Sequence, residues 1–248
     1  MDKRRIAFLH AHPDDETIAT GALIASFVAQ GIAVAVVTAT RGERGEARPG
    51  ALAAGETLLE LRERELGRAL QALGVETHCF LGEPPALASS PQRRYLDSGM
   101  RWITPTLAGP VADAGPDSLS QADPAQAAAD LAAFCRDWAA DALMSYDATG
   151  GYGHPDHVAC HELSIIAAET LGIDRYQIVA GAKPGPGGEW VDFDLTGHQA
   201  TAKAALACYS SQLRVDGDEI VHVGGQREPI TVRMRLELNR PATCRNSY

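Results

Sequence analysis

The sequence predicts an α/β fold with a mostly parallel sheet flanked by helices. Short apolar runs that are typical of buried strands alternate with helical periodicity along the first 172 residues. Polar clusters that contain histidine and aspartate follow two of these runs. Beyond residue 172 the alternation weakens. We therefore expect one domain, 1–248, made of a Rossmann-like core, 1–172, and a variable C-terminal part, 173–248, that adds a small mixed extension.

The first strand, Arg5–Leu9, leads into the stretch around which the chain is organised, His10–Glu16. Helical spacing of apolar residues follows from Ile18 to Gly31. The stretch therefore lies at the carboxyl end of a strand, where open α/β sheets bind their ligands. It holds two histidines and three acidic residues. Carboxylates packed this closely repel one another unless a cation lies among them, and a divalent metal is the simplest such cation.

The spacing within this stretch favours particular ligands. His12 and Asp15 are three residues apart and point the same way on the first turn of a helix. Zinc binds imidazole nitrogen and carboxylate oxygen together, and Asp14 would lie beside the metal. The alternative is that Asp14, Asp15 and Glu16 only cap the helix. Capping, however, needs one carboxylate and no histidine.

The next elements continue the α/β pattern. A second buried strand, Ala33–Thr40, ends in a polar loop, Arg41–Glu46, at the same sheet edge as the first cluster. An amphipathic helix, a short strand and a long irregular section follow at Glu56–Leu73, His78–Leu81 and Gly82–Pro124.

The irregular section is longer than an ordinary connection, and such segments are usually functional or disordered. Asp97–Trp102 in its middle is not typical of disorder, and we expect it to pack over another part of the molecule. A helix at Pro124–Ala140, with Asp123 as its N-cap, and a fourth strand at Ala142–Tyr146 complete this part of the core.

The second cluster, Asp147–His157, again follows a strand and precedes a helix. Parallel strands share one direction, so the two clusters are expected to meet. His161 lies four residues after His157 and would form an HxxxH pair. We prefer a neutral structural role for His161, because His12, Asp15 and His157 already supply the three protein ligands of a catalytic zinc.

The C-terminal part carries weaker signals. The predicted elements are a helix from His157 to Leu171, a strand at Tyr176–Ala180, a loop at Lys183–Gly188, a helix at Gln199–Tyr209, an alternating strand at Ile230–Leu238 and a loose tail over the last ten residues.

Composition and charge argue against several classes of protein. The net charge of −10, without any basic cluster, argues against nucleic-acid binding. No apolar run is long enough for a signal-peptide core or a membrane span. The five cysteines, at positions 79, 135, 160, 208 and 244, form no CxxC pair and suit reduced thiols. We expect a soluble cytoplasmic protein with no membrane partner, and we leave open whether it forms a homo-oligomer.

The clusters favour metal-assisted hydrolysis. The glycines of a dinucleotide-binding loop are absent after the first strand, and neither GxSxG nor a cysteine beside a cluster indicates a nucleophile. A metal would polarise a carbonyl and lower the pKa of a water molecule. Asp14 would take the proton of that water. His154, oriented and charged by Asp156, would stabilise the oxyanion and protonate the leaving amine.

The two clusters resemble those of a known family. His12–Glu16 together with His154–His157 is similar to motifs of the LmbE-like (PIG-L) zinc-dependent N-acetylglucosaminyl deacetylases, closest to the mycothiol-pathway deacetylases and mycothiol conjugate amidases. The resemblance covers about residues 5–172. It extends to three further segments, Gly42–Glu46, Asp97–Met100 and Gly150–His154.

The C-terminal part resembles the family less. Lys203–Gln212 is similar to the family's KxxALxxHxSQ segment, but Tyr209 stands where histidine is common. The rest of this part matches poorly, so the resemblance does not identify the aglycone of the substrate or the oligomer contacts.

The resemblance implies a metal centre and its catalytic groups. The metal would be zinc, with ferrous iron as the alternative. Its ligands would be His12, Asp15 and His157. The catalytic groups would be Asp14 as general base, His154 paired with Asp156 as the acid, and Tyr152 as a mobile group that helps to bind the oxyanion.

The resemblance also implies substrate-binding groups. Arg62 and Asp97 would hold the sugar hydroxyls, one supplying donors and the other acceptors. This replaces the default interpretation of Arg62 as a solvated surface charge. Glu46 would reach the aglycone.

We therefore expect a hydrolase that removes the N-acetyl group from an N-acetylglucosaminyl conjugate in low-molecular-weight thiol (mycothiol- or bacillithiol-like) biosynthesis. One alternative is an amidase acting on thiol S-conjugates or a deacetylase of a sugar-bearing antibiotic. A second alternative, from a different class, is a non-catalytic metal- or sugar-binding module. The presence of Asp14 and His154 argues against this second alternative.

Overall fold

A computed structural model describes residues 4–179 and 189–241. Its helices are α1 (Asp15–Ala29), α2 (Leu58–Leu73), α3 (Pro124–Asp137), the single turn α4 (Gly150–Gly153), α5 (Pro155–Leu171) and α6 (Gln199–Leu206). Its strands are β1 (Arg5–His10), β2 (Ala33–Thr38), β3 (Thr77–Phe80), β4 (Arg101–Thr104), β5 (Leu107–Gly109), β6 (Ala142–Tyr146), β7 (Asp174–Val179), β8 (Glu189–Asp194), β9 (Leu213–Asp216), β10 (Glu219–His222), β11 (Arg227–Pro229) and β12 (Arg233–Asn239).

The main sheet has seven strands in the order β3-β2-β1-β6-β7-β12-β8. The first five are parallel to their neighbours, and β12 pairs antiparallel with both β7 and β8. The chain builds outward from β1 to β3 and then returns to place β6 on the other side of β1. This reversal opens a crevice at the carboxyl ends of β1 and β6, which is where doubly wound sheets bind ligands. Both predicted clusters follow these two strands.

The central strands are buried on both faces, as their continuous apolar sequences require. In β1, Ala7 and Leu9 belong to a core shared with α3 and α5. Ile6 and Phe8 belong to a second core shared with α1, α2 and α6. The alternation of side chains along the strand therefore anchors the first cluster to both layers of helices.

The start of helix α2 is determined by its N-terminal capping box, and its orientation by one buried face. Thr57 and Glu60 form a capping box, in which the Thr57 hydroxyl accepts from the Glu60 N–H at 3.2 Å and the Glu60 carboxylate accepts from the Thr57 N–H at 2.9 Å. Arg62 and Leu66 are both buried and four residues apart, so they lie on one face of the helix. The fold therefore turns the guanidinium of Arg62 toward the interior.

The predicted fold class is confirmed, and the core elements agree with the predictions within a few residues at their ends. The irregular section Gly82–Pro124 contains a hairpin, β4–β5, and a 3-10 turn at Leu119–Gln121, which were not predicted. All four residues of β4 are exposed, so no apolar alternation marks the strand. The expected packing of Asp97–Trp102 is confirmed for Asp97 and Ser98, which are buried, whereas Arg101 and Trp102 are exposed.

The C-terminal part differs more from the predictions. Strand β8 and the antiparallel sheet β9–β10–β11 were not predicted, and β12 begins three residues later than the predicted strand at Ile230–Leu238. The Lys183–Gly188 loop lies outside the described residues, as do residues 242–248 of the predicted tail. The division at residue 172 stays a prediction.

Two further expectations concern the whole chain. Within residues 4–179 and 189–241, no helix is both long enough and apolar enough to cross a membrane. Cys79, Cys135, Cys160 and Cys208 are free thiols, and Cys244 lies outside the described residues.

Candidate active site

The first cluster leaves β1 through a turn with an unusual backbone. Asp14 has a φ of 105°, which residues other than glycine rarely adopt. Its N–H donates to Oε2 of the buried Glu16 at 3.1 Å. Oε1 of Glu16 in turn accepts the hydroxyl of the buried Tyr209 at 2.6 Å. Backbone strain of this kind persists where neighbouring contacts hold it, and it clusters at functional sites.

The carboxylate of Asp15 lies between two histidines. Its Oδ2 is 3.0 Å from Nδ1 of His12 and 3.1 Å from Nε2 of His157. Nδ1 of His157 lies 3.1 Å from the carbonyl oxygen of Gly150, and donation to that oxygen leaves Nε2 free as a ligand atom. Two ligands of a tetrahedral zinc at about 2.0–2.1 Å are roughly 3.3 Å apart. The donor types of these three residues and the two separations from Asp15 therefore fit a zinc ion. The groups in the described residues whose ligand atoms all lie within 4.8 Å of one another are His12, His154 and His157, and His12, Asp97, His154 and Asp156.

His154 brings a third imidazole to the same place. Ligand atoms of His12, His154 and His157 lie within 4.8 Å of one another, and all three residues are buried. Nδ1 of His154 accepts the backbone N–H of Asp156 at 3.1 Å, so the proton of the neutral ring is on Nε2. Burial, followed by the charges of His12 and His157, lowers the pKa of His154 to about 3. His154 is therefore a neutral hydrogen-bond donor.

The carboxylate of Asp156 contacts His12 more closely than His154. Its Oδ2 lies 3.1 Å from Nε2 of His12 and 4.0 Å from Nδ1 of His154. The same carboxylate accepts the N–H of Ser98 at 2.9 Å and the Ser98 hydroxyl. The charge of Asp156 raises the pKa of His154, but burial and the charges of His12 and His157 outweigh it. The expectation that Asp156 charges His154 stays a prediction. The direct bond between the two residues runs from the backbone N–H of Asp156 to Nδ1 of His154.

The two adjacent aspartates differ in charge behaviour. For Asp15, burial works against ionisation, but His157 and His12 hold its pKa well below the usual range. For Asp14, burial raises the pKa to about 6, and the charge of Arg62 limits the rise. A carboxylate with a pKa just below neutrality is suited to accept a proton at pH 7. The pair therefore offers one firmly ionised group and one candidate base.

Arg62 is buried and bonded to the turn that carries Asp14. Nη2 lies 3.2 Å from Oδ2 of Asp14 and 2.5 Å from the carbonyl oxygen of Pro13, and Nη1 donates to the carbonyl oxygen of Gly42 at 3.0 Å. Within the described part of the chain, Nε has no partner. The default interpretation of Arg62 as a surface charge is therefore wrong. The sequence held a signal, because Arg62 falls on the apolar stripe of α2.

The other predicted substrate-binding residues lie at different depths. Asp97 is buried, and its carboxylate accepts the N–H of Gly99 at 2.7 Å and of Arg44 at 3.2 Å. It lies 3.6 Å from Nε2 of His12. Burial alone would raise the pKa of Asp97, but the charge and hydrogen bond of His12 together with the N–H of Gly99 lower it. Glu46 is exposed in the loop after β2. Sugar binding by Arg62, Asp97 and Glu46 stays a prediction.

Tyr152 stands at the mouth of the site. Its ring centroid is 5.1 Å from that of His157 and 6.2 Å from that of His154. Its other neighbour is Trp102, on which it stacks at 5.7 Å. The aromatic ring thus connects the histidine cluster to the hairpin β4–β5.

His161 lies outside the histidine cluster. Its Nδ1 lies 2.8 Å from Nη2 of the buried Arg175 and 3.0 Å from the carbonyl oxygen of Tyr146. Burial lowers its pKa. His161 therefore lies apart from the proposed metal ligands, and its structural role stays a prediction.

Several residues around the cluster were missed from the sequence. The ring of Tyr146 stacks on His157 at 4.2 Å, and its hydroxyl accepts the N–H of Ala11 at 3.0 Å. The sequence pattern predicted only that Tyr146 is the last residue of a strand. Ser98 lies within the segment Asp97–Met100 that resembles the family, so the sequence could have indicated it as a site residue.

The β9–β10–β11 sheet supplies a further wall. His222 at the end of β10 lies 2.8 Å from Glu228, which raises its pKa, and the charges of Asp14 and Asp15 raise it further. Because the interaction between charges weakens with distance, this effect places His222 near Asp14 and Asp15. No sequence pattern indicates this wall, because the three strands are short and distant in sequence from both clusters.

The chain is similar to a described family and to curated relatives. The family described as GlcNAc-PI de-N-acetylase (PIG-L) matches residues 7–178. A 1D-myo-inositol 2-acetamido-2-deoxy-alpha-D-glucopyranoside deacetylase of Kineococcus radiotolerans is 43% identical over 183 residues, covering 73% of this chain and 49% of the relative. An enzyme of the same name from Kribbella flavida is 37% identical over 229 residues, covering 90% and 71%. The chain thus spans about half the length of the first relative.

A solved structure supports the fold. The antimicrobial A40926 pseudoaglycone deacetylase superposes with a TM-score of 0.64, at 20% identity, covering 97% of this chain and 99% of that one. At this identity the likeness concerns the fold alone.

Proposed function

Because the chain belongs to the GlcNAc-PI de-N-acetylase (PIG-L) family, we propose that it is a metal-dependent hydrolase that removes the acetyl group from an N-acetylglucosaminyl conjugate. The observation that carries the proposal is the convergence of His12, Asp15 and His157 beside Asp14 and His154. The names of the relatives make an inositol-linked N-acetylglucosaminide of low-molecular-weight thiol biosynthesis the first substrate to test.

The proposed metal ligands are His12, Asp15 and His157, through Nδ1, a carboxylate oxygen and Nε2. Zinc suits this donor set, and ferrous iron is the alternative. A bound divalent metal would polarise the acetamide carbonyl and lower the pKa of a water molecule at the site. Asp156 and Gly150 hold the outer nitrogens of the two histidines and so orient them.

Asp14 is the proposed general base. Its carboxylate accepts from Arg62 at 3.2 Å, and Asp14 lies in the strained turn directly before the proposed ligand Asp15. It would remove a proton from the attacking water. A positioned base contributes roughly 10²–10⁴-fold to the rate.

His154 is the proposed donor to the substrate. Its Nδ1 is occupied by the N–H of Asp156, so Nε2 carries the proton that can be donated to the oxyanion. Because the ring is neutral, it first donates only a hydrogen bond. To protonate the leaving amine, His154 would have to receive the proton that Asp14 removes from the attacking water. Tyr152, beside His154 and His157, would contribute its hydroxyl to the same oxyanion.

The test is acetate release by the metal-loaded protein. The substrates would be N-acetylglucosamine, its inositol and malate conjugates, and an amide S-conjugate of a thiol. We expect turnover of the glucosaminides, and a loss of roughly 10²–10⁴-fold in Asp14→Asn. His161→Gln is the matched control, since His161 lies on the same helix as the ligand His157 but outside the cluster.

Two outcomes would change the assignment. Cleavage of the thiol conjugate alone would favour the conjugate amidase. Binding of metal and sugar without any turnover would favour a non-catalytic module.

A further inference from the structure

An exposed apolar surface borders the candidate active site. Trp102, Leu107 and Tyr152 are 43%, 45% and 37% exposed, and we call this set the apolar rim. Within the described residues, these are three of the six large apolar side chains with high exposure. Exposed apolar groups gathered at the mouth of a polar site are typical of binding surfaces, whereas scattered ones need no explanation.

The rim is fixed to the segment that carries the catalytic histidine. Gly153, directly before His154, has a φ of 90°. A Cβ at this position would lie 2.7 Å from the carbonyl oxygen of Ala108 and 2.9 Å from Cδ1 of Leu107. The hairpin β4–β5 therefore rests on the backbone of α4, and only glycine permits this approach.

Aromatic rings connect the rim to the histidine cluster. Tyr152 presents its edge to His157, with ring centroids 5.1 Å apart and planes at 78°. The same ring is stacked on Trp102 at 5.7 Å with an interplanar angle of 29°. The rim is therefore continuous with the histidine cluster, and a group attached to a sugar bound at the cluster is within reach of these rings.

The chemistry of the rim differs from that of the inner site. Asp14, Asp15 and Arg62 offer charges to the acetamide and the sugar hydroxyls. The rim offers two aromatic faces and a leucine, with only the Tyr152 hydroxyl and the Trp102 N–H as polar atoms. Such a surface suits an apolar group, which loses little hydration there, better than a cyclitol rich in hydroxyls.

We propose that the apolar rim binds an alkyl or aryl aglycone of the N-acetylglucosaminide substrate. The inference rests on the proposed function, and it adds a preference among aglycones on the same sugar: an apolar group binds the rim more tightly than inositol does.

The test compares aglycones on one sugar. Initial rates of acetate release would be measured for the methyl, octyl, phenyl and inositol N-acetylglucosaminides. We expect KM for the octyl and phenyl compounds to be about 10-fold below that for the methyl and inositol compounds, as is usual for an added apolar contact. Trp102→Ala should remove this difference in KM between aglycones, and Trp102→Phe should restore most of it.

Ile103→Ala is the matched control. Ile103 is 53% exposed on the same hairpin, but its side chain lies over Gly109, where an added Cβ would be 2.4 Å from Cδ1. This variant should keep the preference for apolar aglycones. Loss of the preference in both variants would mean that the hairpin is only a structural support.

Other outcomes overturn the inference while the proposed function stands. These are an equal KM for the methyl and phenyl glycosides, a preference for inositol, or a dimer that Trp102→Ala dissociates, which would make the rim a subunit contact. If no glycoside releases acetate, the proposed function fails instead. In that case, calorimetry can still compare the affinities of the phenyl and methyl glycosides. Equal affinities would refute binding of the aglycone by the rim.

Discussion

The packing of Arg62 against the loop after β2 allows a direct test of how Asp14 is held. A Cβ added at Gly42 would lie 1.8 Å from Nη1 of Arg62, and one added at Gly45 would lie 2.8 Å from the same atom. Because Arg62 is buried, its guanidinium cannot move away without losing bonds to Asp14 and to the carbonyl groups. Alanine at either glycine should therefore displace Arg62.

Three alanine variants separate backbone strain from displacement of Arg62. Gly50 has a φ of 79° and nothing within 4 Å of its Cβ position, so Gly50→Ala reports strain alone, about 1–2 kcal/mol. Gly45 has no positive φ, so Gly45→Ala reports displacement, which costs about 1.5–3 kcal/mol for each charge-assisted bond lost. Gly42 has a φ of 67° as well as the closer contact, so Gly42→Ala should lower the free energy of unfolding the most.

Activity should follow displacement and not stability. We expect kcat/KM for acetate release to fall about 10–100-fold in Gly42→Ala and Gly45→Ala, and to stay unchanged in Gly50→Ala. Urea unfolding would give the free energies, and initial rates would give kcat/KM. An unchanged rate in Gly45→Ala, or an equal loss in Gly50→Ala, would refute the role of Arg62 in positioning Asp14.

Three further predictions concern the metal and the strained turn. His157→Ala should lose the bound metal, whereas Asp14→Asn should retain it at about one ion per chain, as elemental analysis would show; the opposite pattern would exchange the two roles. Ser98→Ala removes one of the two bonds from Ser98 to the carboxylate of Asp156, which orients His12. Zinc affinity, measured by competition with a chelator, should weaken by about 10-fold. An unaltered affinity would show that this bond does not support the site. Tyr209→Phe should lower the free energy of unfolding, measured by urea denaturation, by about 1–3 kcal/mol, because the buried carboxylate of Glu16 loses its 2.6 Å hydrogen bond. Wild-type stability of this variant would show that the bond is not needed.

The sheet and the cluster were predictable because both depend on short-range patterns. Continuous apolar runs identify parallel strands, and such strands place their following residues at one edge. His12 and His157 were therefore expected to meet although they are 145 residues apart in the sequence. The structure confirms that they share the carboxylate of Asp15.

The remaining features depend on side-chain directions that a sequence pattern does not encode. Asp156 sits two residues from His154, yet its carboxylate turns to His12 and Ser98 because the first turn of α5 points it across the crevice. Strand β4 is short and fully exposed, so its contribution to the mouth of the site left no periodic signal. Tyr209 could be noted only as a departure from the family pattern, and its bond to Glu16 required the fold.

The shared carboxylate of Asp15 also has a thermodynamic consequence. His12 follows β1 and His157 lies in α5, so the two imidazoles come together only after the parallel sheet has formed. An ion that binds this native arrangement and not the unfolded chain stabilises the protein by mass action, by about 4.1 kcal/mol when its free concentration is 1,000 times Kd. The Tm of the protein should therefore rise with the logarithm of the free zinc concentration. A chelator should lower the Tm even at a constant pH at which no side chain titrates.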